Sequence, residues 1–263
     1  MKIVLNTRKL NKRNRAVVSK LMKLIPAKSL YATSEIAATF DLPKSELAGD
    51  IIIAIGGDGA VLDSEDNQTR DTPILPIHTG DVGFLSEIGE EDLDEKIPLL
   101  LRKKYKIEKR KKLQAILNGA KLGIGLNEVA VISSRAVRTC TLEIRIDGKG
   151  FETFEGDGVI VATPTGSTAY ALSVGGPIID PRTDALVIAP VSPYTLKARP
   201  LVFPYKSKAE IVLKQGRCYI AIDGNKLAEF GAQDSLTIKR SPKKAKLIRF
   251  GEAFYNKLDS LVR

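Results

Sequence analysis

A glycine-aspartate turn, Gly56-Gly57-Asp58-Gly59, stands directly after the β-branched run Ile51-Ile52-Ile53-Ala54-Ile55. A run that is apolar at every position suits the centre of a parallel sheet buried on both faces. Ligands of open α/β sheets bind at the carboxyl ends of such strands. Glycines there allow a sharp turn and bring backbone N–H groups close to phosphate oxygens. An aspartate at the tip can act as a general base or help to hold Mg²⁺. The plainer alternative is a Gly-rich turn in which Asp58 caps the following helix. A longer motif is sharper: Gly156-Asp157-Gly158-Val159-Ile160-Val161-Ala162-Thr163-Pro164-Thr165-Gly166-Ser167-Thr168-Ala169-Tyr170, closed by Gly175-Gly176-Pro177. Here a strand runs into a Pro/Gly turn crowded with hydroxyls and then into a helical start. Hydroxyls and free N–H groups at such a turn suit hydrogen bonding to a nucleotide base, sugar or phosphate. Asn127-Glu128 opens the apolar run 129–132, and an amide beside a carboxylate can grip sugar hydroxyls as donor and as acceptor. Asp223-Gly224-Asn225 has by pattern only the signature of a hairpin turn.

Two different frames are needed to position these residues. Over the first 100 or so residues, short apolar runs alternate with helical patterns. Residues 3–6 and 74–77 read as strands, and residues 16–25 carry Val17, Val18, Leu21, Leu24 and Ile25 at helical spacing. Residues 91–105 read as a helix, acidic early and basic late, that Pro98 breaks or kinks. Near residue 106 the period changes from 3.6 to 2: Leu142, Ile144 and Ile146 alternate with Glu143, Arg145 and Asp147 before an Asp147-Gly148 turn. Asn118-Gly119 is a similar turn signal. Residues 211–213, 219–222, 236–238 and 247–250 continue the rhythm of short strands, and residues 252–261 look helical again. The expected architecture is an α/β domain over 1–105 with an open, mostly parallel sheet, then a β-rich, sandwich-like domain over 106–248. A C-terminal helix over 249–263 is expected to pack back on the N-terminal domain.

Composition excludes several classes of function. Hydrophobic residues make up 43% and charged residues 27% of the 263, ordinary values for a globular protein. No apolar run reaches the ~20 residues of a membrane helix, and the Met1 to Asn6 stretch is too short for a signal peptide, so a cytoplasmic chain without membrane attachment is expected. A single histidine, His78, cannot alone anchor a zinc site or an ordinary Ser-His-Asp triad. Ser167 is therefore not expected to be a nucleophile. Cys140 and Cys218 form no metal-like cluster and read as two small buried thiols. The net charge of +10 attracts polyanions, but it lies in local runs at 8–15, 102–104, 109–112 and 239–246, each reading as a solvated face. Aromatics are only 6% and Trp is absent, which disfavours a nucleic-acid platform.

Taken together and in order, these residues resemble the NAD kinase family. The resemblance rests on the GGDG turn, Gly80-Asp81-Val82-Gly83-Phe84-Leu85, Asn127-Glu128, the segment 156–170 and Asp223-Gly224, and it covers nearly the whole chain. It implies an NAD site between the two domains and Mg²⁺-dependent transfer of a terminal phosphoryl group to the 2′-hydroxyl of the adenosine ribose, giving NADP. It also implies a homodimer or homotetramer. Carried over, Asp58 is the catalytic carboxylate, acting on the acceptor hydroxyl or on the metal, and Gly56, Gly57 and Gly59 cradle donor phosphates. Asn127 and Glu128 bind the adenosine and ribose groups. Asp157, Thr165, Thr168, Ala169, Tyr170 and Ser173 line the dinucleotide pocket, and Asp223 contacts the nucleotide. The family commonly continues GGDG with Thr and soon a basic residue. Here Ala60 follows, and Asp63, Glu65 and Asp66 make the stretch acidic, which leaves the donor open between ATP, another nucleotide and polyphosphate. His78 stands where many members have Asn and reads as a hydrogen-bonded structural imidazole. The alternatives are another kinase sharing only the GGDG loop, a non-catalytic nucleotide- or NADP-binding regulator, and a nucleic-acid-binding protein.

Overall fold

A computed structural model describes residues 1–80, 83–134, 138–251 and 254–261, apart from the side chains of 256 and 259–261. Asp81 and Val82 of the Gly80 to Leu85 motif, and Glu252 at the head of the expected tail helix, lie outside the described residues. The chain divides into two units, Met1–Lys109 with Ala245–Arg263, and Arg110–Lys244.

The first unit alternates strands and helices: β1 (Ile3–Asn6), α1 (Lys12–Leu24), β2 (Leu30–Ala32), α2 (Ser34–Phe40), β3 (Ile51–Ile55), α3 (Asp58–Asn67), β4 (Ile74–Ile77) and α4 (Leu93–Leu101). Strands β1, β3 and β4 are buried at every position, the burial that their unbroken apolar runs require. All pairings here are parallel, in the order β2-β1-β3-β4. From β1 the chain adds β2 on one side and β3 on the other, so a topological switch point lies between β1 and β3. Val17, Val18 and Leu21 of α1 and Ile97 and Leu100 of α4 close one face of the sheet against Ile3, Leu5, Ile53, Ile55 and Leu75. Helix α4 is shorter than the expected 91–105. It runs through Pro98 and stops at Leu101. Proline removes the hydrogen bond to the carbonyl of Asp94, but Asp94 is exposed and can be solvated there.

The second unit is antiparallel. It is built from β5 (Lys106–Leu117), β6 (Ala120–Gly125), β7 (Glu128–Ser133), β8 (Cys140–Ile146), β9 (Lys149–Gly156), β10 (Gly158–Ala162), α5 (Tyr170–Ser173), β11 (Ala185–Val191), β12 (Leu201–Pro204), β13 (Ala209–Gln215), β14 (Cys218–Ile222), β15 (Asn225–Phe230) and β16 (Leu236–Arg249), of which residues 106–109 and 245–249 belong to the first unit. One sheet has the order β12-β11-β10-β7-β14-β15. Its inward residues, among them Val129, Val131, Val159, Val161, Ile220 and Ile222, pack on Leu142, Ile144, Ile211, Leu213 and Ile238 from β8, β13 and β16. The two facing layers form a sandwich. The opposite face of β10 is also covered, because Ala171 of α5 and Ile179 pack on Ile160 and Ala162. Asn118-Gly119, Asp147-Gly148 and Asp223-Gly224 each place both turn residues at positive φ, between 47° and 81°, the geometry of type I′ hairpins.

Two local expectations are corrected. Residues 236–238 and 247–250 are not separate strands. A single strand, β16, runs through the basic stretch between them and past Pro242. Pairing of β16 with β5 carries the strand through that stretch, while β13 pairs with residues 236–238. Nor is 109–112 simply a solvated face: Arg110 and Lys112 are 5% and 4% exposed on the strand face opposite the core residues Leu113 and Ala115, with Arg110 donating to Thr165 and the charge of Lys112 acting on Asp223. The final helix, α6 (Phe254–Leu261), belongs to the first unit. Among the described residues no helix is long and apolar enough to cross a membrane.

Candidate active site

The GGDG turn leaves the carboxyl end of β3 at the switch point, where an open sheet presents its binding crevice. Gly56 has φ of 138°, a backbone state that other residues rarely adopt. It directs the chain into α3, whose first-turn N–H groups have no partner within the helix. A methyl group on Gly59 would lie 2.9 Å from Nη1 of Arg8, so that guanidinium covers the start of α3. One on Gly80 would lie 3.4 Å from Nη1 of Arg13. Asn14 ties this loop together: its Nδ2 donates to Thr7 Oγ1 (2.8 Å) and its Oδ1 accepts from Thr79 Oγ1 (2.6 Å).

Asp58, half-buried, does not cap its own helix. Its Oδ2 accepts from the N–H of Phe84 at 2.9 Å and its Oδ1 from the N–H of Leu85 at 3.0 Å. The fit is tight, since a Cβ on Gly83 would stand 2.1 Å from Oδ1. Burial pushes the Asp58 carboxyl above its usual range, against the two N–H bonds and the charges of Lys257 and Arg249. The result is a carboxylate of raised basicity, fixed in direction. The acidic stretch after Ala60 is engaged locally. Asp63 accepts from Asn6 Nδ2 (2.9 Å) and Asn67 Nδ2 (3.1 Å), and Glu65 from Gln68 Nε2 (2.6 Å). His78 is a half-buried imidazole whose Nδ1 lies 3.3 Å from the Gly80 carbonyl.

In the second unit, alternation decides what meets. Glu128, Ala130 and Ile132 of β7 and Tyr219 and Ala221 of β14 share the face opposite the sandwich core. With Tyr170, Gly224 and Lys226 they line a cavity of about 440 Å³. Glu128 is 6% exposed and its Oε2 has no hydrogen-bond partner among the described residues. Burial first, and the charge of Asp223 second, push its carboxyl up to about 8. Glu128 opens β7, which lies between β10 and β14 in the interior of its sheet. Tyr170 is 41% exposed beside the cavity, and its hydroxyl is held above its usual range by burial and by Tyr219, Asp157 and Glu128.

Asp223 is buried and its side chain turns inward. Its carboxylate accepts three backbone N–H groups, from Leu126 (2.6 Å), Asn127 (2.8 Å) and Glu128 (3.0 Å). Gly166 packs against the same strand start, where any Cβ would lie 2.1 Å from the Asn127 carbonyl. Thr163 Oγ1 donates to the Leu126 carbonyl at 2.7 Å. The hydroxyl-rich turn is thereby latched to Asn127-Glu128. Within it, Thr165 accepts from buried Arg110 (3.3 Å), Thr168 donates to the Thr165 carbonyl (3.1 Å) and Ala169 links to α5. Ser173 is exposed and donates to the Tyr170 carbonyl, and Asp157 is half-buried at the end of β9. Ser167 is structural, since its Oγ donates to Pro164 and accepts from the Ile179 N–H. Of the residues expected in the pocket, the cavity gathers Glu128 and Tyr170. The others stand in the turn or behind it. Tyr219, Ala221 and Lys226 were not foreseen, although a period-2 reading of 218–222 would have put Tyr219 and Ala221 on one face.

Residues 5–105 match the model of the ATP-NAD kinase N-terminal domain, and residues 126–250 that of the C-terminal domain. The chain belongs to the ATP-NAD kinase family. Relatives include the NAD kinase of Thermococcus sibiricus, 40% identical over 79% of this chain and 76% of its own. That of Thermoplasma volcanium is 35% identical over 98% of this chain and 96% of its own. Two solved structures share the fold. Yeast NADH kinase complexed with NADH has a TM-score of 0.92 at 20% identity, covering 100% of this chain and 87% of that one. The Archaeoglobus fulgidus NAD kinase in complex with ATP has a TM-score of 0.79 at 24% identity, covering 100% and 99%.

Proposed function

We propose that this chain is an NAD kinase, transferring the terminal phosphoryl group of ATP to the 2′-hydroxyl of the adenosine ribose of NAD. The observation that carries the reading is Asp58: a fixed, basic carboxylate on a glycine turn at the switch point of a sheet belonging to this family. Phosphoryl transfer needs positioning and charge neutralisation more than covalent chemistry. In this reading Asp58 takes the proton of the attacking hydroxyl. The N–H groups of the turn at Gly56, Gly57 and Gly59 hold donor phosphates, with Arg8 and Arg13 adding positive charge. Glu128 and Tyr170 hold the adenosine end of NAD at their cavity, with Asn127, Asp157, Thr165, Thr168, Ala169 and Ser173 around it. We assign Asp223 to holding Asn127 and Glu128 in place.

ATP is favoured over polyphosphate because both matching domain models are those of ATP-NAD kinases and the Archaeoglobus fulgidus relative is in complex with ATP. No cluster of three His, Cys, Asp or Glu that could hold a metal exists among the described residues. Mg²⁺ would be bound largely through substrate phosphates, as this ion commonly is. Bound in that way, Mg²⁺ would supply charge neutralisation for the transferring group. We place the enzyme in the cytoplasm with its nucleotide substrates, as a homo-oligomer like the family it resembles.

The test is NADP formation from NAD with Mg-ATP, and in parallel with polyphosphate, by wild type and Asp58→Asn. General-base help contributes ~10²–10⁴-fold, so the variant should lose activity by that order. Product from polyphosphate alone would overturn the donor assignment. No product from either donor, with NAD still bound, would overturn the enzyme reading.

A further inference from the structure

We infer that Lys257 and Arg249 are positioning residues for Asp58, acting through the peptide groups of residues 83–86. The inference rests on the reading of Asp58 as the group that acts on the acceptor hydroxyl. Its substance is a set of contacts within the first unit.

The segment 83–86 lies between two charged layers. On one side its N–H groups meet Asp58, Phe84 donating to Oδ2 and Leu85 to Oδ1. On the other side its carbonyls meet cations. Lys257 Nζ donates to the Phe84 carbonyl at 3.2 Å and also to that of Ser86. Arg249 Nη1 donates to the carbonyls of Leu85 (3.0 Å) and Ser86 (3.3 Å). The carbonyl of Phe84 and the N–H of Leu85 belong to one planar peptide group, and in a trans peptide they point in opposite directions. A buried ammonium thus sits at one end of that group and the Asp58 carboxylate at the other. Hydrogen bonds in such a chain polarise one another, so the cation strengthens the bond that the N–H makes to Asp58.

The cations are themselves held. Lys257 is 9% exposed and Arg249 7%. Arg249 Nε donates to Glu108 Oε2 at 2.7 Å and Nη1 to Glu87 Oε2 at 3.1 Å, while Glu87 Oε1 accepts the N–H of Phe250 at 2.6 Å. Ser86 Oγ accepts from the N–H of Gly83 at 3.2 Å and closes the turn from within. Without this backing, only two N–H bonds would hold Asp58 against a short loop. With it, the direction of the carboxylate depends on α6 and the end of β16, elements almost 200 residues further along the chain.

The test compares full-length wild type with Lys257→Met and Lys257→Arg, each also in the Asp58→Asn background. Kinetics of NADP formation are read together with amide hydrogen exchange of residues 83–88. The expected result for Lys257→Met is a kcat lower by about tenfold to a hundredfold, with KM for NAD within about twofold of wild type. Lys257→Arg should recover kcat to within about threefold, because it restores a cation facing the carbonyls. In the Asp58→Asn background, Lys257→Met should cause no further loss. Exchange at 83–88 should accelerate in Lys257→Met while the strands of the first unit keep their protection. A KM-only effect, equal losses in the Met and Arg variants, losses additive with Asp58→Asn, or unchanged exchange would each overturn the inference. Should Lys257→Met fail to fold, Lys257→Gln is read by the same kinetics and exchange. If wild type makes no NADP, the kinase reading fails on that measurement, and exchange at 83–88 still decides the contact.

Discussion

Replacing Asp223 by Asn separates the two roles open to this residue. The substitution leaves the backbone alone: Asp223 sits at φ 47°, and Asn tolerates the left-handed region about as well as Asp. The hydrogen bonds do change. The oxygen that accepts from Asn127 and Glu128, at 2.8 and 3.0 Å, can remain as the amide oxygen. The other becomes an NH₂ facing the N–H of Leu126, now 2.6 Å from an acceptor. One bond to a charged group is lost, at about 1.5–3 kcal/mol, and two become neutral, at about half a kcal/mol each or more. Removing the charge returns part of this, because burial outweighs the three N–H bonds and holds the Asp223 carboxyl above its usual range. A net cost of about 2 kcal/mol remains, which lowers a melting midpoint by roughly 4–8 °C for a unit of this size. Glu128 is released at its backbone, and KM for NAD should rise about tenfold, equivalent to ~1.4 kcal/mol. Thermal unfolding and NAD saturation kinetics on one preparation measure both. An unchanged midpoint with a large loss of NAD affinity would refute the clamp and restore the direct nucleotide contact expected from the sequence. No change in either would refute both roles.

Other predictions follow from the same geometry. Gly83→Ala puts a methyl group 2.1 Å from Asp58 Oδ1. It should lower NADP formation by ~10²–10⁴-fold, as loss of a general base does, whereas Gly150→Ala, with nothing within 4 Å, should leave activity unchanged. Glu128 has a folded-state value of about 8 against an ordinary 4.5, so between these values the folded state holds a proton that the unfolded state lacks. Its contribution to stability is complete below about pH 4.5 and is lost as pH rises through about 8. Scanning fluorimetry from pH 4.5 to 9 should show the wild-type midpoint falling relative to that of Glu128→Gln, and parallel curves would refute the assignment.

Much of this protein was legible in its sequence because local patterns carry local physics. Unbroken isoleucines at 51–53 announce a strand buried on both faces, and the glycines that follow announce a turn needing positive φ. The three Asx-Gly pairs announce hairpins because few residues accept two left-handed positions in succession. The motif order carried the family. Other features depended on partners distant in the chain. The basic stretch 239–246 became strand because β16 pairs with β5, and Arg110 and Lys112 were buried because the fold sets Thr165 and Asp223 against their side of the strand. Asp223 reads as a hairpin residue in any window of sequence. It becomes a clamp only because the N–H groups of 126–128, nearly 100 residues earlier, converge on it. The same is true of Lys257, an ordinary basic residue in a tail helix until folding sets it against the loop that holds Asp58. Period and turn chemistry are properties of neighbours in sequence, whereas a buried charge takes its meaning from whatever the fold brings within 3 Å of it.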